Sequence, residues 1–309
     1  MATTQSSAFS SALVTSVQSK VLTNLRDKLI WANPKWAEEG TFNAQSDTLT
    51  FTSVPDLTYT SALTPLTEGT RPTPRAITTN TVTISTAQYG DVVGLTDVAK
   101  LKGPKGIEAT ATERITRVGL QVIDRITRDA IFLGGTPFFP NTETNRAGLD
   151  NNDYVISTDL QKLYSTMRKN LVPTFDDGSY MLFVSEEVAY DIKRDSTSGN
   201  NWIEINKYTT TEPIMSGEIG KYHGFRIVPT TTNPTVSSSV TVSLSLAVGN
   251  IKGWGAGNLQ TFRTYHKAPG GDHDDLLEQE ELMGWKVMFG VATLNNDYYY
   301  RLESYASTL

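Results

Sequence analysis

The chain has 309 residues, no cysteine and a formal net charge of −6, enough length for one or two domains with a real core. The lack of cysteine excludes disulfides, thiolate catalysis, zinc–thiolate sites and iron–sulfur clusters. The negative balance argues against a general nucleic-acid-binding surface, which needs an excess of Lys and Arg to displace counterions. Hydrophobic residues make up 38% and charged residues 19%, so much of the remainder is Ser, Thr and Asn, which suits large polar contact surfaces. No apolar run reaches the roughly 18 residues that a membrane span needs. The first residues lack the basic start and apolar block of a secretory signal. The expectation is a protein made and kept in a cytoplasm until it joins something larger.

In chain order, residues 5–32 carry Phe9, Leu13, Val17, Val21, Leu25 and Leu29 at four-residue steps, the stripe of an amphipathic helix. Trp31-Ala-Asn-Pro34 ends it, because proline disfavours helix in the residue before it. Two readings fit such a helix: an arm held by a partner, or a segment docked on its own domain. Thr48–Val54 then alternates with Leu49 and Phe51 on one face, and 77–84 returns with Ile77, Val82 and Ile84 amid five threonines in 76–87. β-Branched residues favour the pleated surface, so this is a long hairpin. Its tip, Leu63–Pro74, holds Pro65, Gly69, Pro72 and Pro74, which turn the chain and remove ladder donors. A two-stranded ribbon is marginal in water unless something covers it; an arm of this length is expected to rest on a neighbour.

Gln88–Asp97 reads as the last of the return strand with a bend, and Lys102-Gly-Pro-Lys-Gly106 opens a long helix. Glu108–Leu133 contains no proline, with Ile115, Val118, Val122, Ile126 and Ala130 as its core-facing stripe and a length of roughly 40 Å at 1.5 Å per residue. Arg-Ile-Thr-Arg occurs at 114–117 and again at 125–128, close to three turns apart and so on one face. Glu113 with Arg117, and Asp124 with Arg128, are spaced for i,i+4 pairs. Gly134-Gly135 stops the helix and 136–156 is loop. Ser157 or Thr158 caps a helix to about Lys169 with Leu160, Leu163 and Met167 inward. Tyr180–Val184 is a buried strand, and Ser185 caps a helix carrying Val188, Ala189 and Ile192. Residues 195–216 are polar and irregular. Gly224–Val228 and Val240–Val248 are short strands, and Tyr265–Asp275 is a polar loop. Trp285, Val287, Phe289 and Val291 alternate, Asn295-Asn-Asp297 turns, and Tyr298, Tyr300 and Leu302 return as a final hairpin. The whole is α+β.

Three places invite chemistry, and each has a plainer reading. Asp272-His-Asp-Asp275 could bind a cation, but in a glycine-rich loop it reads as solvated turn chemistry. Gly103-Pro-Lys-Gly106 lacks the Gly-Lys-Ser/Thr ending of a phosphate loop. His223, His266 and His273 have no Gly-x-Ser-x-Gly elbow to serve, and Lys221-Tyr-His-Gly224 is a turn leading into a strand. The paired arginines of the long helix suit phosphates, a neighbour's carboxylates or simply solvent. No catalytic, cofactor or metal residue is assigned, no cofactor is expected, and the chain is read as not an enzyme.

The order of elements resembles the major capsid proteins of tailed bacteriophages, which share the HK97-like fold. The strings that carry the resemblance are Leu66-Thr-Glu-Gly69 with Gln88-Tyr-Gly-Asp91, Phe183 through Asp191, Gly217-Glu-Ile-Gly-Lys221, and Gly284-Trp-Lys286 with Leu294-Asn295. The resemblance implies an N-terminal arm at 1–40, an extended loop at 41–103, a peripheral domain with a spine helix at 104–194, an axial domain at 195–262, and a return to the peripheral domain at 263–309. The internal scaffolding region of some relatives has no counterpart in the short arm, so a separate scaffolding protein is implied. It further implies a homo-oligomer of hexamers and pentamers in an icosahedral shell around double-stranded DNA held without tight sequence-specific binding. Portal and decoration proteins would be partners, the virion the location, and the host cytoplasm the place of assembly. The alternatives are a virion or cell-surface adhesion component, against which the central helix argues, and a metal-dependent hydrolase built on Asp272–Asp275.

Overall fold

The computed structural model describes residues 30–32, 37–41, 48–55, 57, 65, 68–71, 74–102, 107–195, 220–269, 277 and 279–307. The expected N-terminal helix up to Leu29, most of the loop tip, Gly103–Gly106, the polar stretch from Ser196 and the Asp272–Asp275 run lie outside the described residues.

Two sheets and one long helix organise the chain. Strands β1 (Ala37–Thr41), β4 (Ala87–Thr96), β11 (Trp254–Lys267) and β12 (Glu280–Thr293) form a four-stranded sheet in the order β1-β11-β12-β4. Helix α2 (Ile107–Leu133) lies on one face of it, as the expected rod does. Alternation decides which face: Trp285, Val287 and Phe289 of β12 point to the helix and bury with Ile115, Ile123 and Phe262. Gly119 marks a close approach, because a Cβ there would meet the Phe262 and Trp285 rings, which stack 5.5 Å apart. A short helix α1 (Asp97–Lys102) joins β4 to this rod, with the Thr96 hydroxyl accepting from the Ala99 amide.

The second sheet has seven strands: β5 (Thr136–Phe138), β13 (Tyr299–Tyr305), β10 (Thr241–Val248), β6 (Tyr180–Val184), β8 (Phe225–Pro229) and β7 (Gly220–Tyr222) in that order, with β9 (Thr235–Ser237) also on β10. Both its faces are covered. Leu160, Leu163 and Met167 of helix α3 (Ser157–Lys169) and Val188 and Ile192 of helix α4 (Glu186–Arg194) bury on one face, with Tyr180, Leu182 and Val184. On the other, Met181, Phe183 and Leu246 meet Ile131 and Phe132 at the end of the long helix. The boundary expected at 194/195 crosses this sheet, because β6 pairs with both β8 and β10.

Several local expectations need correction. The final hairpin does not form: β12 pairs with β11 and β4, while β13 pairs with β10 and β5. The turn at Asn296–Tyr298 carries the chain from one sheet to the other. Tyr265–Lys267 is strand, not loop, and Thr136–Phe138 and Thr235–Ser237 are short strands within segments expected as loop. The long helix is rotated from its expected stripe: Val118 is exposed and Val122, Ile126 and Ala130 are half-buried, whereas Thr116, Leu120, Asp124 and Thr127 are buried. Two of the polar residues on that face are satisfied, Asp124 by backbone amides and Thr127 by donating its hydroxyl to Ile123 O at 2.9 Å, whereas the buried Thr116 hydroxyl has no hydrogen-bond partner among the described residues. Helix α3 starts after Ile156 with no hydroxyl cap; the buried Asp159 accepts from the Ile156 amide, and Asp195 accepts from Ser157 N at 2.7 Å. Ser185 does cap α4, accepting from Val188 N at 3.3 Å.

Helix α3 ends in a Schellman motif, with Val172 N donating to Met167 O and Leu171 N to Arg168 O. The left-handed position, φ 57°, is held by Leu171 with its side chain exposed. Glycine is the usual residue there because any Cβ is crowded by the following carbonyl. Leu171→Gly is therefore expected to raise stability by about 0.5–1 kcal/mol, read as a higher denaturant midpoint with an unchanged slope.

Candidate assembly surface

The Thr-rich hairpin folds as its alternation predicts. Strands β2 (Thr48–Ser53) and β3 (Asn80–Ser85) pair antiparallel, with Leu49 opposite Ile84 and Phe51 opposite Val82. Nearly all the threonine side chains face solvent, and only Ile84 is fully buried. The ribbon pairs with no strand of the other two sheets. One face packs on the four-stranded sheet, with Leu49 and Phe51 against Gly40, Phe51 also against Gly255 and Ile84 against Gly290, and β3 runs on through Thr86 into β4. Between this base and the end of the seven-stranded sheet opens a cleft of about 840 Å³, lined by Phe51, Val82, Phe175, Ile251, Leu294 and Tyr298 among others. Lys252 and Glu38, 3.2 Å apart, form an ion pair at its rim. Further out, Val54, Leu57 and Ile77 are all more than half exposed.

Two buried devices fix the body against which such an arm works. In the first, Asp124 of the long helix accepts through Oδ1 from the amides of Ile30, Trp31 and Ala32 at 3.1, 2.9 and 3.4 Å. The expected Asp124–Arg128 pair is thereby displaced: Arg128 instead bonds Asp129 and donates to Thr232 O at 2.9 Å. Burial pushes the Asp124 carboxyl above its usual range, against the pull of the amides and the Arg128 charge. The fully buried Trp31 ring meets Phe132 and Phe183 and donates to Thr232 Oγ1 at 2.9 Å. In the second, Arg301 donates to Phe132 O and Gly134 O, closing the end of the long helix, and to Glu303 Oε1 at 2.7 Å. Arg146 grips the same Glu303 with two bonds of 2.5 and 2.9 Å. Burial pushes Glu303 up, but the two guanidinium groups outweigh it and hold the carboxyl below its ordinary value. The Glu113–Arg117 pair expected on the exposed helix face is present at 3.0 Å.

The places singled out for chemistry do not come together. His223 sits at φ 45° in the turn between β7 and β8, and its Nδ1 lies 3.3 Å from Gln161. His266 pairs with Glu281 across β11 and β12. His273, with Asp272–Asp275, and the Gly103–Gly106 loop lie outside the described residues. Among the described residues no three His, Asp or Glu side chains are grouped to hold a metal, and no helix is long and apolar enough to cross a membrane. Sequence reasoning missed the Trp31–Asp124 and Arg301–Glu303 devices, which join residues 93 and 169 positions apart. The one available signal was a carboxylate on the inward side of a helix stripe, which needs a partner from elsewhere in the chain.

A family model described as phage capsid protein matches residues 78–301. No curated protein sequence matches the chain. Among solved structures it is similar to the capsid of Cyanophage P-SCSP1u, at 15% identity and a TM-score of 0.64 over 88% of each chain. The capsid of Ralstonia phage GP4 gives 13% identity and a TM-score of 0.66 over 88% of this chain and 87% of that one. The Cyanophage Pam1 capsid gives 12% and 0.63, over 87% and 89%. The shared α+β architecture is the HK97-like fold expected from the order of elements.

Proposed function

The chain belongs to the phage capsid protein family, and from that premise we propose how it builds its shell. Its role is structural, as a major capsid protein located in the virion capsid and acting as an oligomer. In the proposed shell the subunits form pentamers and hexamers of an icosahedral particle around double-stranded DNA. The N-terminal arm (1–40) and the extended loop (41–103) reach neighbouring subunits. The long helix with the four-stranded sheet serves as the peripheral part, and the seven-stranded sheet with α3 and α4 as the axial part. Assembly takes place in the host cytoplasm with a separate scaffolding protein, a portal and decoration proteins. The genome is confined without tight sequence-specific contacts, in keeping with the negative net charge.

The observation that carries this reading is the ribbon itself: among the described residues its two strands pair only with each other, and of their side chains only Ile84 is fully buried. Such a ribbon is not stable alone, and interface area summed over neighbours supplies what the subunit lacks. The decisive experiment is electron microscopy of the protein produced with the genes normally expressed beside it, for the intact chain and for a deletion of Thr64–Pro74. The intact chain is expected to give closed shells, and the deletion a soluble, folded subunit that gives none. Normal shells from the deletion would sink the idea that the loop joins neighbours.

A further inference from the structure

The face of the four-stranded sheet turned away from the long helix has a composition that neither the fold nor the core explains. Register places Gly90, Lys286 and Arg263 on one rung, Val92, Gly284 and Tyr265 on the next, and Gly94, Leu282 and Lys267 on the third. Directly opposed residues of an antiparallel ladder point to the same side. All nine therefore share the face opposite Trp285, Val287 and Phe289. It is a low surface floored by glycines, with Val92 63% and Tyr265 49% exposed. Arg263 is exposed and Lys286 half-buried.

The rung that joins Arg263 to Lys286 carries the argument. Like charges directly across a ladder destabilise it, and neither residue makes an ion pair among the described residues. No carboxylate stands on these three rungs. A subunit with a formal net charge of −6 therefore keeps a repelling cation pair on an open, shallow face. An anionic occupant turns that repulsion into attraction, and the glycine floor lets a backbone approach closely.

The same sheet supplies a complementary segment. Its two central strands, 14 residues each, are joined by a connection in which Asp272, Asp274, Asp275 and Glu278 fall within seven residues. We propose that the acidic connection of one subunit docks on the basic sheet face of a second copy, with Arg263 and Lys286 as the receiving cations and Tyr265 and Val92 as the apolar contact. This rests on the shell-forming reading and names one of its contacts. Charge complementarity chooses the occupant, because the connection has four carboxylates and the rung that carries Arg263 and Lys286 has none. It also gives the Asp272–Asp275 cluster a role that needs no metal.

The test is charge reversal with cross-complementation. One variant carries Arg263→Glu and Lys286→Glu; a second carries Asp272→Lys, Asp274→Lys and Asp275→Lys. Each is produced with the neighbouring phage genes and viewed by electron microscopy, separately, mixed, and with all five changes in one chain. The expected result is loss of shells from either variant alone, recovery in the combined chain, and hetero-oligomers in the mixture, where the reversed face of one variant meets the reversed connection of the other. Shells from either variant alone overturn the proposal. Recovery in the combined chain with no hetero-oligomer in the mixture overturns it, since the connection then seats on its own subunit. Failure of both the mixture and the combined chain removes the charge pairing altogether. If the reversed face does not fold, Arg263→Gln with Lys286→Gln replaces it: shell yield must drop and lose its dependence on salt, and an unchanged yield refutes the contact. Absence of shells from the unaltered chain under the same conditions counts against the shell-forming reading itself, so the two failures stay distinguishable.

Discussion

Glu303→Ala is expected to lower the stability of the subunit by about 3 kcal/mol, the low end for a severed buried ion pair. Glu303 is 1% exposed and accepts from both Arg146 and Arg301. Its removal leaves Arg301, 14% exposed, with a buried charge and no carboxylate, while Arg146 keeps 35% of its side chain in solvent and loses less. The harm should spread to the long helix, because the same Arg301 closes the carbonyls of Phe132 and Gly134 and cations at a helix C-terminus are stabilising. Denaturant unfolding and amide exchange at Ile131–Gly135 check both effects. A loss under about 1 kcal/mol would mean the cluster behaves as a surface pair does.

The pH dependence follows from the direction of the Glu303 shift. A carboxyl held below its unfolded value contributes stability that is present above the ordinary glutamate range and is lost as pH falls through the depressed folded value. Glu303→Gln removes that contribution, so the gap between wild type and variant should narrow on acidification. Asp177, also held low by Ser179 and Arg226 against the upward push of burial, titrates in both proteins and cancels in the difference. Asp124 and Asp159, pushed up by burial, act in the opposite sense and cancel likewise.

What was legible in the sequence was local. Thr48–Ser53 and Asn80–Ser85 form strands because alternation and β-branching act within a few residues, and Ile107–Leu133 is a helix because no breaker interrupts it. Pairing was not legible. The Asn295–Asp297 turn looked like a hairpin, but β13 reads Tyr-Tyr-Arg-Leu-Glu-Ser-Tyr with five of its seven residues buried. That is a central strand covered on both faces, not half of an alternating pair, and the Tyr298-Tyr-Tyr300 run was the available sign. Strand β11 was invisible because its glycines and two register shifts, between Asn258 and Arg263, break the two-residue period. The basic sheet face depended on β11, so no inspection of the sequence alone could have set Arg263 beside Lys286. The two strands of the Thr-rich arm, by contrast, were legible from their alternation.

Trp31→Ala is the second large effect, about 3–5 kcal/mol as for other fully buried large aromatics, and its consequence is directional. Trp31 sits between Phe132 of the long helix and Phe183 of the seven-stranded sheet, so its loss opens a cavity where those two units meet. The three amides it brings to Asp124 then have less to hold them in place, and an acceptor already disfavoured by burial loses its partners. Asp124→Ala attacks the same joint from the other side, orphaning three backbone donors while leaving the ring packing intact. Both variants should release protection of the Ile30–Ala32 amides in hydrogen exchange, and Asp124→Asn, which keeps an acceptor oxygen, should release less. If Trp31→Ala left those amides protected, the carboxylate alone would be the anchor. If Asp124→Ala did so, the ring would be. Loss in both places the Ile30–Ala32 segment under joint control of one ring and one carboxylate, and shells built from either variant should then be fewer than their remaining folded fraction accounts for.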